Sequence, residues 1–175
     1  AEDIGVKADP STMTAWDVFE NGYGDAKEVT IIGGGHVGVD LALYLTSRDN
    51  APRVRIVEMM PNILVGTDPG TKMCQTRELK NRGIEVYSGS TAEYAKASGE
   101  VTIRSVDGAN SCKCPTDLLV IAVGARACVP ECLEMDDLDC PVVRVGDAIR
   151  PRGIWEATHE GSYAIIQIER WNSLK

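Results

Sequence analysis

Three glycines, Gly33-x-Gly35-x-x-Gly38, constrain what this chain can fold into more than any other feature. The apolar run Glu28-Val29-Thr30-Ile31-Ile32 reads as a buried strand entering the turn. Beyond it, Val37, Leu41 and Tyr44/Leu45 recur at helical spacing. A strand that turns sharply into a helix aims free backbone N–H groups at whatever lies above the turn, and the helix dipole favours an anion there. In this pattern Gly33 permits the tight turn, Gly35 lets a pyrophosphate approach the backbone, and Gly38 lets the helix pack closely on the strand. Gly34, His36 and Val37 complete the loop as candidate contacts.

A second strand, Arg53-Val54-Arg55-Ile56-Val57-Glu58, ends in an acid twenty residues beyond Gly38. A carboxylate at that tip can accept both ribose hydroxyls of an adenosine and repels a 2′-phosphate. No Arg or Lys follows closely, since Met59, Met60 and Pro61 come next. The unphosphorylated cofactor, NAD(H), is therefore expected, with Glu58 and Met59 at its adenosine end. The bland alternative is a coincidental glycine turn followed by a solvated glutamate. For His36, at the helix start, a cofactor-facing role and plain exposure both remain open.

A chain of 175 residues suits one domain with a sizeable core and a small appendage. The net charge of −8 argues against nucleic acid or an anionic membrane surface as the main partner. It does not conflict with local phosphate binding through backbone N–H groups. The longest apolar run, Leu118 to Val123, is far too short to span a bilayer. The acidic start Ala1-Glu2-Asp3 lacks the marks of a signal peptide, so a cytoplasmic location is expected. A first residue other than methionine suggests processing or excision from something longer. Six cysteines raise the question of metal, yet Cys112-x-Cys114 and Cys128-x-x-x-Cys132 do not match paired zinc spacing and no C-x-x-C pair exists. Reduced, structural cysteines and no metal site are expected.

Along the chain, residues 1–27 read as a lead-in, with a short helix over Thr12 to Phe19 and turn chemistry at 21–25. A β-α-β unit fills 28–58. Asp68 is an acceptable N-cap, Pro69 suits the first helical position, and that helix should stop at Gly83 before a third strand, Ile84 to Tyr87. Glu100 to Val106 then alternates with period two and ends at Asp107-Gly108, a hairpin signal. With Thr91–Ala95 before it and Ser111–Cys114 after it, this predicts an antiparallel meander in which Cys112 and Cys114 share one face in a packing role. Asp117 to Gly124 is a buried strand of the kind found in a parallel sheet covered on both sides. Val142 to Asp147 reads as another short strand, and a last helix runs from about Gly153 to Trp171. The expected class is α/β: a Rossmann-like, three-layer domain with a parallel sheet and an antiparallel β-meander crossover.

The ordered motifs Val29–Gly38, Arg55–Met59, Leu119–Arg126 and Val145–Arg152, with the tail Ile154–Gly161, resemble the C-terminal region of NADH:flavin oxidoreductases of the 2-enoate reductase and 2,4-dienoyl-CoA reductase type. In that family a barrel carrying FMN and an iron–sulfur cluster precedes a split FAD domain with an NAD domain inserted in it. The resemblance implies that 28–126 is the NAD(H)-binding domain, with Val123 and Gly124 beside the cofactor. It further implies that 127–175 is the returning segment of the FAD domain, where Gly146 and Asp147 would meet FAD and Asp147 its ribitol. The first FAD glycine motif, the barrel and the cluster cysteines are absent from this sequence. FAD is thus expected only in the intact protein, with the FMN barrel and the other FAD half-domain as partners. Asp40 stands where related domains often have Glu.

Delivery of hydride from NADH to FAD is the activity this resemblance implies, with no catalytic residue of the chain's own. Two other readings stay open: a stand-alone nucleotide-binding or redox-sensing module, and an electron-transfer domain of the trimethylamine dehydrogenase type. Tyr23-x-x-x-Lys27 has the acid/base spacing of short-chain dehydrogenases, but it precedes the glycine turn and reads as coincidence. His159 falls on the last helix, where a solvated or structural role is expected.

Overall fold

The computed structural model describes residues 12–128 and 142–173. The chain divides into two compact units, Ala1–Gly124 and Ala125–Lys175.

The first unit is built on alternation. Val29 and Ile31 of β2 (Glu28–Ile32), Val54 and Ile56 of β3 (Arg53–Glu58), and Leu118 and Val120 of β8 (Leu118–Ile121) share one buried cluster with α1 (Ala15–Asn21), α2 (His36–Leu45) and α3 (Pro69–Asn81). The alternate positions Ile32 and Val57, with Tyr87 of β4 (Glu85–Ser88), pack against the meander through Val101 and Ile103. The meander consists of β5 (Ser90–Ala95), β6 (Glu100–Ser105) and β7 (Ser111–Pro115), joined antiparallel in chain order. With β1 (Thr12–Thr14) at one edge, the central sheet has the order β1-β8-β2-β3-β4, and every pairing in it is parallel. Helices on one face and a small sheet on the other give the expected three-layer α/β arrangement, and they explain why β8 is apolar at every position.

Local signals set the ends of these elements. Asp68 caps α3 by accepting from the Thr71 amide at 2.9 Å, with Pro69 at the first helical position. Gly83 then takes φ +68° just past the helix. At the β6–β7 turn, Asp107 Oδ1 accepts from the Ala109 amide at 2.9 Å and Gly108 adopts φ +75°.

Two expectations are corrected. The helix expected over Thr12 to Phe19 starts only at Ala15, because Thr14 forms a capping box with Asp17 that fixes the N-terminus there. Thr12–Thr14 instead forms β1, paired with Leu119–Ile121 at the edge of the sheet. The strand expected over Val142 to Asp147 is not formed: residues 142–145 have no regular structure, and Gly146–Ala148 is one short 3-10 turn. The described residues of the second unit contain no strand that could complete a ladder there.

The interface between sheet and meander also holds a charge. Arg55, with a side chain 1% exposed, donates to Glu28 Oε2 at 2.6 Å and to the Pro115 carbonyl at 2.5 Å. Glu85 stands 3.7 Å from its Nε, which makes no hydrogen bond. Beside it the buried Thr30 and Thr116 hydroxyls pair at 2.8 Å. Asp117 pins the start of β2 by accepting from the Lys27 and Glu28 amides at 2.8 and 2.9 Å.

In the second unit the final helix, α4 (Ile154–Ser173), lies close to the expected span. Glu160 on α4 accepts from the Gly146 amide at 2.7 Å and pairs with Arg152. No helix among the described residues is long and apolar enough to cross a membrane.

Candidate functional site

β2, β3 and β8 run parallel, so their C-terminal ends meet at one rim of the sheet. Gly33 leaves β2 with φ +112°, and its own N–H donates to the Val57 carbonyl at 2.8 Å. A Cβ on Gly33 would lie 2.4 Å from the Ala122 carbonyl oxygen and 3.2 Å from the Val123 amide. Only glycine fits between the turn and the end of β8. At Gly38 a Cβ would fall 2.0 Å from the Gly33 carbonyl oxygen, so this glycine sets how closely α2 packs on the turn. Gly34 is equally enclosed, its missing Cβ 2.5 Å from Ile63 Cγ2.

Gly35 differs from the other three. Its φ of −76° is open to any residue, yet a Cβ there would meet nothing within 4 Å. It is the N-cap of α2 and has no side chain to bond the first-turn amides. The first N–H groups of a helix have no intrahelical acceptor, so the start of α2 presents donors toward open space.

Glu58 leans toward this turn from the tip of β3. Its Oε2 accepts from the Gly34 amide at 2.6 Å and its Oε1 from the Met60 amide at 2.7 Å. An ionised carboxylate has about four acceptor positions, so two remain after both anchors are made. Met59, next in sequence, is 63% exposed. Val123 and Gly124 are exposed where β8 ends, Gly124 at φ +109°.

The structure thus brings Gly33, Gly34, Gly35, His36, Val37, Gly38, Glu58, Met59, Val123 and Gly124 to one rim. Gly146 and Asp147 belong to the second unit. Gly146 is buried at φ +60°, 3.2 Å from the Ala157 Cβ by its missing Cβ. Asp147 is exposed and accepts from the Arg152 amide at 3.3 Å. His159 stacks on Trp155 with ring centroids 4.0 Å apart. Asp40 bonds to Gln75 of α3 at 2.9 Å. Tyr23 packs against the core and Lys27 lies in the loop before β2, off any helix.

Sequence reading missed what holds the rim together. The Leu64 amide donates to the Gly34 carbonyl at 2.8 Å, and the Thr67 hydroxyl pairs with His36 Nε2 at 2.9 Å. Both bonds fasten the loop after β3 to the glycine turn. Leu64, at φ +54° and almost wholly buried, belongs to the apolar triplet Ile63-Leu64-Val65, the hint in the sequence that the loop folds inward.

Residues 5–146 match the family model for pyridine nucleotide-disulphide oxidoreductases. The chain belongs to that family. Members of this family bind NAD(P)H and FAD, and the chain carries a domain of that family. Over 101 residues it is 34% identical to a dihydrolipoyl dehydrogenase of Acholeplasma laidlawii, covering 58% of this chain and 29% of that protein. Over 165 residues it is 25% identical to an NADH oxidase of Thermoanaerobacter brockii, covering 93% of this chain and 25% of that one. A solved 2-naphthoyl-CoA reductase shares the fold at 20% identity and a TM-score of 0.69, over 87% of this chain and 23% of that chain. The chain spans less than a third of the length of these relatives.

Proposed function

We propose that the chain is the NADH-binding part of a flavin-dependent oxidoreductase of the 2-enoate reductase type, and that it presents NADH to FAD in the intact enzyme. One observation carries the reading: the Glu58 carboxylate is locked onto the Gly34 and Met60 amides beside an uncovered helix start at Gly35. The residues present fit an adenosine diphosphate. The space in front of Gly35 admits a pyrophosphate to within contact of the backbone, which a side chain there would fill. The two acceptor positions left on Glu58 match the two hydroxyls of one ribose.

When bound, the nicotinamide supplies a hydride and the flavin accepts it. What this chain contributes is position. The start of α2 holds the pyrophosphate with main-chain donors, which needs no cation from an acidic chain. Glu58 fixes the ribose and rejects a 2′-phosphate by like charge. Gly124 at the end of β8 lets the remainder of the dinucleotide pass close to the backbone, with Val123 as an apolar wall. In the second unit, Gly146 and Asp147 are the positions assigned to FAD once the rest of its domain is present.

Calorimetric titration of the chain with NADH and NADPH tests the assignment. NADH is expected to bind more tightly, and the pure chain is expected to show no steady NADH oxidation without a flavoprotein partner. Equal binding of the two cofactors, or turnover by the chain alone, would overturn the reading.

A further inference from the structure

Cys112 and Cys114 stand two residues apart on β7, the outer strand of the meander. Their register partners on β6 are Ile103 and Val101, both buried, so the two thiols share the face that covers the parallel sheet. Cys114 packs in the cluster of Val57, Val101, Ile103 and Tyr87, while Cys112 is exposed at the open edge. They are thus successive same-face positions of one strand, with Tyr87 in the cluster that receives Cys114. Both cysteines are free.

Alternate residues of a strand are about 6.6 Å apart along the chain. A disulfide needs Cβ atoms only about 3.5–4.5 Å apart. The pair can therefore touch, but it cannot close a bond onto itself while β7 stays extended. One atom placed between the sulfurs removes the conflict, because two metal–sulfur bonds of about 2.3 Å span a much longer gap.

The surroundings narrow which ion this is. Thiols select soft ions such as copper(I) and zinc. Zinc takes four ligands, and among the described residues no group of three or more His, Cys, Asp or Glu could hold a metal. Glu85 is already engaged, accepting from the Tyr87 hydroxyl at 3.0 Å and pairing with Arg53. Two sulfurs suffice only for an ion content with two-coordinate geometry. A copper(I) ion between two thiolates carries a net charge of −1, and the exposure of Cys112 leaves that charge solvated.

We propose that Cys112 and Cys114 form a two-sulfur clamp for one copper(I) ion at the open edge of the meander. The site lies apart from the glycine turn and does not depend on the cofactor assignment.

The test is an anaerobic titration of the reduced chain with copper(I) held in a coloured chelator, read as loss of the chelator complex. Cys112→Ser and Cys114→Ser should each weaken the first equivalent at least about tenfold, whereas a Cys74→Ser/Cys128→Ser control should keep it. X-ray absorption should show two sulfur neighbours on the bound copper. In the unsubstituted chain, copper should protect Cys112 and Cys114 from alkylation mapped by mass spectrometry, a readout independent of how the variants fold. Retention of the equivalent by both serine variants, its loss in the control, or equal alkylation with and without copper would each overturn the proposal. So would a Cys112–Cys114 disulfide formed readily in air by the folded chain.

Discussion

Glu58→Gln separates the charge of this side chain from its shape. In the unsubstituted chain the carboxylate accepts from Gly34 and Met60, and both bonds are charge-assisted. The amide has one oxygen. Gly34 is buried and Met60 is exposed, so the oxygen should turn to Gly34 while water takes over the Met60 N–H. That exchange costs about 1 kcal/mol of stability. For NADH, bonds from ribose hydroxyls to a neutral oxygen are about half as strong, so affinity should drop about fivefold. For NADPH the arithmetic runs the other way. A 2′-phosphate of charge near −2 about 4 Å from the carboxylate is repelled by about 2 kcal/mol even at the dielectric constant of water. That corresponds to about a 30-fold preference for NADH in the unsubstituted chain, which the substitution should erase or leave at a few-fold. Calorimetry with both cofactors on both proteins reads this directly, with a thermal melt to confirm folding. An unchanged NADH-to-NADPH ratio would show that the carboxylate does not face the ribose, and the site assignment would fail with it.

The two glycines of the turn should respond in opposite ways. Gly38→Ala drives a methyl to 2.0 Å from the Gly33 carbonyl oxygen and should cost about 3 kcal/mol in chemical denaturation. Gly35→Ala meets nothing in the protein, so stability should change by less than about 1 kcal/mol while NADH affinity falls at least about tenfold. Glu28→Gln leaves the buried Arg55 cation with only the more distant Glu85, and should cost about 2–4 kcal/mol; Arg55→Met, which removes the charge itself, should cost less, and urea melts showing the reverse order would refute this. In the second unit the Arg152 guanidinium, followed by the Gly146 amide, holds the Glu160 carboxyl below the ordinary carboxylate range. Its folded pKa is thus the lower one, so the contact contributes fully above the unfolded value of about 4.3 and is lost as pH falls through the folded value. The Gly146 amide resonance should titrate with a midpoint below that value and stop doing so in Glu160→Gln.

Much of this was legible because local chemistry and tertiary context agree. The turn at 33–38 is fixed by three glycines whose missing side chains would each strike backbone or neighbour, or admit a ligand, and sequence spacing alone exposes that requirement. Asp68-Pro69, Gly83 and Asp107-Gly108 mark ends that depend on adjacent residues only. The misses depend on distant partners. Thr12–Thr14 is too short to carry a strand signal, and it is a strand only because β8 lies beside it. Val142–Val145 has a good strand composition, but no ladder among the described residues includes it. Arg55 sits in a strand pattern as a charge, and nothing local tells that Glu28 and the Pro115 carbonyl will enclose it. At the candidate site the glycines and the acid were readable, but the inward fold of Leu64 and the Thr67–His36 bond were not, since a loop's path is set by what it covers.

The position of β8 between β1 and β2 has a consequence for biosynthesis. β1 is translated first among these three, yet its ladder partner leaves the ribosome roughly a hundred residues later, after the meander. Until then the nascent segment must wait unpaired, and β2 has one flank bare. The half-made domain should therefore lean on holding factors or on speed. Slowing translation just before Leu118 ought to lower soluble yield more than slowing it anywhere downstream.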